Sequence, residues 1–329
     1  MLIIGTGSIA MRHVANLMRR RNVCVTLLSR SRDRIEPMPD CCELIYDPYA
    51  QEDLSAFTHA IIASQTSSHL RDLNQCLGSI YSVYLEKPAY LSSELIDPVI
   101  DEFIQSGGFL YHGFMMRHHP IIKYASSWIL GHSARIMSAH FSIGQKLSDW
   151  RPMLESDEYV SYSYDSARGG TVFLDLIHEV DLLLKFFGPV ASAVGFSRDF
   201  EEKGVVRVAS GDGICLHENS VISMIHLDSV DPVGHRTIKF FGDQLYFEAN
   251  LLSGEIKHHL DGELKTLVLE SDRNEMFLES LEEFIVMSEL EKEARRKMAL
   301  INRDIALTSL RLAESLSDRG VARLLGNNL

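Results

Sequence analysis

Three apolar residues, Leu2-Ile3-Ile4, run directly into Gly5-Thr6-Gly7-Ser8-Ile9-Ala10, and helical periodicity follows over residues 9–21. An apolar run that ends on G-x-G-x-x-A and opens a helix constrains this chain more than anything else in it. Gly5 permits a tight turn, Gly7 lets backbone N–H groups approach a ligand, and Ala10 is small enough for helix to lie on strand. The helix start then offers unpaired N–H donors and a dipole that favours an anion. Strand, turn and helix in this order predict the first βαβ unit of a parallel sheet, with Gly5, Gly7, Ser8, Ile9 and Ala10 cradling a dinucleotide pyrophosphate. The competing reading is a strand–helix turn with no ligand.

The rest of the first 119 residues keeps that alternation. Candidate strands cover 2–4, 23–28, 44–46, 60–63, 82–85 and 109–113, and helical segments over 9–21, 69–77 and 93–105 lie among them. Strands spaced by helices predict a Rossmann dinucleotide-binding domain over 1–119. Residues 120–329 read differently. Helices are predicted over 121–130 and 171–187, and a long loop over 149–167. A strand at 140–144 and consecutive strands over 190–197, 205–209, 220–227, 237–241, 245–250 and 255–259 have mostly no helices between them. That pattern predicts an α+β domain on an open, mostly antiparallel sheet. The late helices, 275–287 and 291–316, close the chain, and the last is expected to pack back on the first domain.

The end of the second strand bears on the cofactor. An acid there would bind the ribose 2′-hydroxyl of NAD. The sequence instead has Leu28-Ser29-Arg30-Ser31-Arg32, with no acid until Asp33. A hydroxyl followed by guanidinium suits a 2′-phosphate, so Ser29 and Arg30 favour NADP(H), with NAD(H) as the alternative. The competing reading has these arginines as solvated surface charge.

A formal net charge of −13 argues against a general nucleic-acid or anionic-membrane binder, both of which need a basic footprint. No apolar run reaches the roughly 18–20 residues of a membrane span, and the N-terminus lacks the order of a secretory signal. Five irregularly spaced cysteines are expected to be free thiols in a reducing compartment. A cytoplasmic protein is expected. His118-His119 and His258-His259 invite a metal reading, but adjacent strand residues point to opposite faces and no third ligand is evident, so no metal is expected.

Two segments carry chemistry. Leu85-Glu86-Lys87-Pro88 ends an apolar strand, where ligands of open α/β sheets bind. A lysine there can donate to a substrate oxygen; the bland alternative is a surface turn. Gly169-Gly170 leads into a helix apolar on nearly every face that nonetheless holds Asp175 and His178. Buried Asp and His are costly unless paired or used, and at a spacing of three they share a helix face. They form either a structural hydrogen bond or a pair that orients a hydroxyl and moves its proton.

With these motifs in this order, the chain resembles the Gfo/Idh/MocA oxidoreductases over roughly residues 3–188. Arg117-His118-His119-Pro120 is similar to the family's Arg-Phe-x-Pro segment, and Arg273-Asn274-Glu275 is also family-like. The resemblance implies that Lys87 polarises the reacting oxygen, His178 is the general acid/base, and Asp175 positions a hydroxyl or His178. It implies hydride transfer between nicotinamide and a hydroxyl or keto carbon of a sugar-like substrate, and a homodimer or homotetramer. Glu86, Lys87, Thr66 and His69 are then cofactor contacts, and Arg117 a substrate contact. Many members space Asp and His by four; here Glu179 takes the fourth place. Asp-Leu-Ile-His-Glu-Val-Asp resembles a subset that favours His178. Ala63-Ser64-Gln65-Thr66 stands where many members have Thr-Pro.

The segment 144–152 resembles the same subset, whose members look as if they belong with surface-polysaccharide and nonulosonic-acid pathways. Arg151 would bind a substrate carboxylate or phosphate, and Trp150 would stack on a sugar face; the alternative is a loop Arg and a packing Trp. The rival to an enzyme is a non-catalytic NADP(H)-binding regulatory protein that kept the fold.

Overall fold

A computed structural model describes residues 1–19, 23–30, 42–47, 49–150, 163, 165–202, 204–270 and 272–317. These fall into two compact units. One is Met1–Met115 with Phe277–Leu310; the other is Met116–Met276 with the chain from Arg311 onward.

The first unit is built on β1 (Leu2–Ile4), α1 (Ser8–Met18), β2 (Thr26–Ser29), β3 (Glu43–Tyr46), β4 (His59–Ile62), α2 (His69–Cys76), β5 (Ser82–Glu86), α3 (Ser93–Gln105) and β6 (Phe109–Gly113). Its six strands lie in the order β3-β2-β1-β4-β5-β6 and every pairing is parallel. That is the order of the doubly wound dinucleotide fold. All three residues of β1 are fully buried, as a central parallel strand covered on both faces must be. Helix α1 buries Ala10, His13, Val14, Asn16 and Leu17, one face at helical spacing. Strand β2 starts at Thr26, three residues later than its apolar run suggested. Its partners begin there too, since Thr26 pairs with Leu2 on one side and Glu43 on the other. Upstream, the Met1 amine donates to Cys24 O at 2.8 Å instead of extending a ladder.

The second unit holds α4 (Pro120–Leu130), β7 (Ile136–Gly144), α5 (Leu147–Trp150), α6 (Val172–Asp175), α7 (Ile177–Phe187), β8 (Val190–Glu202), β9 (Val205–His217), β10 (Ile222–Asp228), β11 (His235–Gly242), β12 (Leu245–Asn250), β13 (Glu255–Leu260) and β14 (Glu263–Val268). The strand order is β14-β13-β12-β11-β7-β10-β9-β8, and only β7 and β10 pair in parallel. Helices α6 and α7 pack on β7, β9 and β10. An aromatic cluster of Phe141, Phe186, Phe187, Phe240 and Phe247 forms the core, with Phe240 and Phe247 stacked at 5.1 Å. The opposite face of β8–β10 exposes Phe196, Ile214, Leu216, Ile222 and Met224.

Strands β8 and β9 run well past their expected ends. Ser210-Gly211-Asp212-Gly213 looks like a turn, but these glycines serve close packing inside β9. A Cβ at Gly211 would meet the Phe173 ring at 2.5 Å, and one at Gly213 the Leu316 side chain at 2.7 Å. Strand β14 was missed because it is an exposed edge with little apolar alternation. The predicted helix over 171–187 is two helices, broken at Leu176 (φ −103°, ψ 26°). Two later helices, α8 (Glu275–Ser288) and α9 (Lys292–Ser317), follow, and residues 277–310 belong to the first unit. No helix among the described residues is long and apolar enough to cross a membrane. Cys24, Cys42, Cys76 and Cys215 are free thiols.

His119 caps α4, its Nδ1 accepting from the Ile121 N–H at 3.2 Å. Only an unprotonated Nδ1 can accept. Burial first, and the Arg236 cation second, push its pKa down to about 4. The unfolded state therefore binds the extra proton between about pH 6.5 and 4. Stability from this group is complete above 6.5 and lost as pH falls toward 4. Denaturant unfolding at pH 7 and pH 5 should differ by up to about 2 kcal/mol through this group. His119→Asn, a cap that does not titrate, should flatten that difference; an unchanged slope would acquit His119.

Candidate active site

The carboxyl ends of the first unit's strands gather most of the residues singled out for the cofactor. Gly5 follows β1 with φ +121°, and a Cβ there would lie 2.6 Å from Ala63 O. Its glycine is a demand of the fold. Gly7 differs. It sits at φ −83°, ψ 179°, open to any residue, and a Cβ on it would meet nothing within 4 Å among the described residues. It is exposed, as is Ser8; Ile9 is half-buried and Ala10 fully buried. Helix α1 has no side-chain cap at its N-terminus and no acid in its first turn. Open space among the described residues over N–H donors without a side-chain cap, with no acid in the first turn to repel an anion, fits a dinucleotide pyrophosphate.

The 2′-phosphate reading of Arg30 meets a different arrangement. Its Nε and Nη2 donate to Asp72 Oδ1 at 3.1 and 2.8 Å, and its Nη1 to Asp47 Oδ2 at 3.1 Å and Asp47 O at 2.6 Å; Nη2 also bonds Gln75 Oε1. Ser64 Oγ donates to the second oxygen of Asp72 at 2.6 Å. Burial alone would raise the Asp47 pKa, but the N–H groups of Gln51 and Glu52, the Gln75 amide and Arg30 outweigh it and hold it at about 2. Arg30 is thus committed to protein carboxylates, and Ser29 is buried at 2% exposure. Neither acid lies where a sequence reader expects one, since Asp47 follows β3 and Asp72 sits in α2.

Lys87 follows β5 directly, half-buried, and its bond to Pro88 is cis. Glu86 is 8% exposed; its Oε1 lies 2.7 Å from His13 Nε2 and its Oε2 accepts the Lys87 N–H at 3.3 Å. Thr66 is buried at the start of a 3-10 turn. His69 is 1% exposed and faces three carbonyl oxygens: Nδ1 lies 3.0 Å from Pro88 O and 3.2 Å from Ala89 O, and Nε2 lies 3.1 Å from Ser64 O. Burial, the larger cause, lowers its pKa against the pull of these acceptors.

In the second unit, Asp175 ends α6 and His178 lies in the first turn of α7, both buried. The break at Leu176 means that spacing on a continuous helix does not relate them. Asp175 lines a small cavity with Ser163, Gly170, Thr171, Ser229 and Arg207. Arg207 was not anticipated. It is a 2%-exposed arginine on β9 that bonds Ser229 Oγ, and its inward place in the strand alternation was the available signal. Glu179 is tied to Arg236 at 2.7 Å. Arg117 spans both oxygens of Asp181, with Nε at 2.8 and 3.1 Å and Nη2 at 2.5 Å, and Asp181 is fully buried. Arg151 lies outside the described residues, as does the Trp150 side chain.

No protein-family model and no curated protein matches the chain. Solved structures do. An NAD-binding oxidoreductase from Klebsiella pneumoniae aligns over 98% of this chain and 96% of its own, with a TM-score of 0.80 at 11% identity. An inositol dehydrogenase homolog complexed with NAD+ from Azotobacter vinelandii aligns over 97% and 95%, with a TM-score of 0.73 at 12% identity. A UDP-N-acetylglucosamine 3-dehydrogenase from Acidithiobacillus ferrooxidans aligns over 97% of each chain, with a TM-score of 0.70 at 14% identity. Parallel six-stranded sheet and large, mostly antiparallel sheet together give this chain the two-domain Gfo/Idh/MocA fold.

Proposed function

We propose that the chain is a nicotinamide-dependent oxidoreductase acting on a hydroxyl or keto carbon of a sugar-like substrate. The observation that carries the reading is Gly7: neither its backbone nor its packing among the described residues requires glycine there, while a bound pyrophosphate would. Bound nicotinamide supplies the hydride donor or acceptor at C4. The N–H groups at the start of α1 hold the pyrophosphate. Lys87 donates to the reacting oxygen and stabilises the charge that develops on it. His178 moves the hydroxyl proton, and Asp175 orients that hydroxyl or His178. The substrate class extends to a nucleotide-activated or acidic sugar such as a nonulosonic acid, and Arg207, which lines the same small cavity as Asp175, is the buried cation next to the proposed acid–base pair. The exposed apolar face of β8–β10 gives a homo-oligomer its contact surface.

The sequence favours NADP(H) through Ser29 and Arg30. The ion pairs of Arg30 reverse that weighting, because a 2′-phosphate would have to draw the guanidinium from Asp47 and Asp72. NAD(H) is the proposed cofactor. Titrating the protein with NADH and with NADPH, followed by nicotinamide fluorescence, should give the tighter constant for NADH. Tighter NADPH would restore the sequence reading of Arg30. Binding of neither would sink the oxidoreductase. Binding, followed by turnover in a screen of nucleotide sugars and nonulosonic acids, completes the test.

A further inference from the structure

Two buried histidines meet the Glu86–Ala89 turn from opposite sides. His13, on the inner face of α1 and fully buried, bonds Glu86, and Glu86 accepts the Lys87 N–H. Its ring also meets Tyr84 edge-on at 5.1 Å, and its Nδ1 has no hydrogen-bond partner among the described residues. Among the described residues, its hydrogen bond is to Glu86. His69, at the start of α2, sets Nδ1 within 3.2 Å of both Pro88 O and Ala89 O, the first two carbonyls after Lys87. A neutral imidazole has one N–H. With two acceptors at Nδ1 and one at Nε2, the Nδ1–H tautomer closes on the lysine turn.

We propose that His13 and His69 are positioning residues that brace Lys87 from both sides. One ties the turn to the dinucleotide-binding helix, the other to the β4–α2 connection. Stability alone does not ask for this. A buried polar pair is often matched or bettered by apolar side chains of similar volume, whereas a reacting group must be held to within about half an ångström. The bonds converge on the residues flanking the one side chain in this turn able to donate a charge-assisted hydrogen bond. His69 thereby moves from cofactor contact to support of Lys87.

The inference rests on the reading of Lys87 as the oxygen-polarising group, and its test needs no substrate. Limited acetylation with acetic anhydride at pH 8, read by peptide mass spectrometry, gives the rate at Lys87 relative to Lys257 and Lys265, whose side chains are 46% and 66% exposed. His13→Phe and His69→Phe keep ring volume and remove the nitrogens. Each should raise the relative rate at Lys87 at least threefold while the NADH dissociation constant stays within about threefold. His13→Gln and His69→Gln, which restore a donor, should return the rate to within about twofold of the original. Where His13→Phe strands the Glu86 carboxylate and the protein does not fold, His13→Phe with Glu86→Leu removes both ends of the bond and reads the same ratio. An unchanged ratio in folded phenylalanine variants overturns the brace. Lost NADH affinity with an unchanged ratio also overturns it and returns His69 to the cofactor. Failure of the Lys87 reading itself would appear elsewhere, as full turnover in Lys87→Ala.

Discussion

Lys87→Ala should lower turnover about 10²–10³-fold while NADH affinity stays within about threefold, because losing one preorganised donor to a developing charge costs roughly 3–4 kcal/mol of transition-state stabilisation. The magnitude follows from where the lysine sits. It leaves the carboxyl end of β5 half-buried, beside a fully buried strand, so water replaces its charge poorly. Its contribution rises as the reacting oxygen gains charge, so kcat falls and KM moves little. Lys87→Arg is expected to recover only a small part, since a planar fork does not occupy the place of a compact ammonium. Steady-state kinetics on the substrate returned by the sugar screen, with unfolding curves as control, measures the effect. Turnover within twofold of the original would remove Lys87 from the chemistry.

The first unit was legible because its logic is local. Apolar runs, intervening helices and G-x-G-x-x-A each signal one element, and a parallel sheet buried on both faces leaves those runs uninterrupted. The second unit was legible in kind but less so in extent. The strand expected to stop at residue 209 runs on through Gly211 and Gly213, which are packing contacts with Phe173 and Leu316, side chains distant in sequence. Leu176 breaks a helix that periodicity alone continues. The site followed the same division. Lys87 stood out by its place at a strand end, and Asp175 and His178 because polar groups in apolar surroundings need a reason. Their supports did not. His13 sits three residues beyond Ala10 on the inward face of α1, a legible anomaly, yet Glu86 as its partner is 73 residues away. Arg30 looked available because Asp47 and Asp72 reach it from β3 and α2, and no local pattern announces such ion pairs.

The two glycines of the fingerprint should separate under the same substitution. Gly5→Ala places a Cβ 2.6 Å from Ala63 O, 2.8 Å from Ala63 C and 2.9 Å from Ser64 N, and does so at φ +121°. All three atoms are backbone just past the end of β4, where Ala63 N–H bonds Ile4 O, and cannot swing aside. Strain and overpacking together are expected to remove about 2–4 kcal/mol of stability, and the displaced turn takes dinucleotide binding with it. Gly7→Ala meets neither obstacle. Its φ of −83° suits alanine, and nothing among the described residues lies within 4 Å of the new methyl group. Its cost is that of a poorer helix cap, under about 1 kcal/mol. Yet the methyl group enters the space proposed for the pyrophosphate, so NADH affinity should fall by roughly 30-fold or more, the effect of about 2 kcal/mol of lost contact. Urea unfolding and nicotinamide fluorescence, run on both variants, read the two quantities separately. Gly7→Ala that binds NADH like the parent would mean the open space over α1 serves another purpose, and the cofactor reading would lose its main physical support.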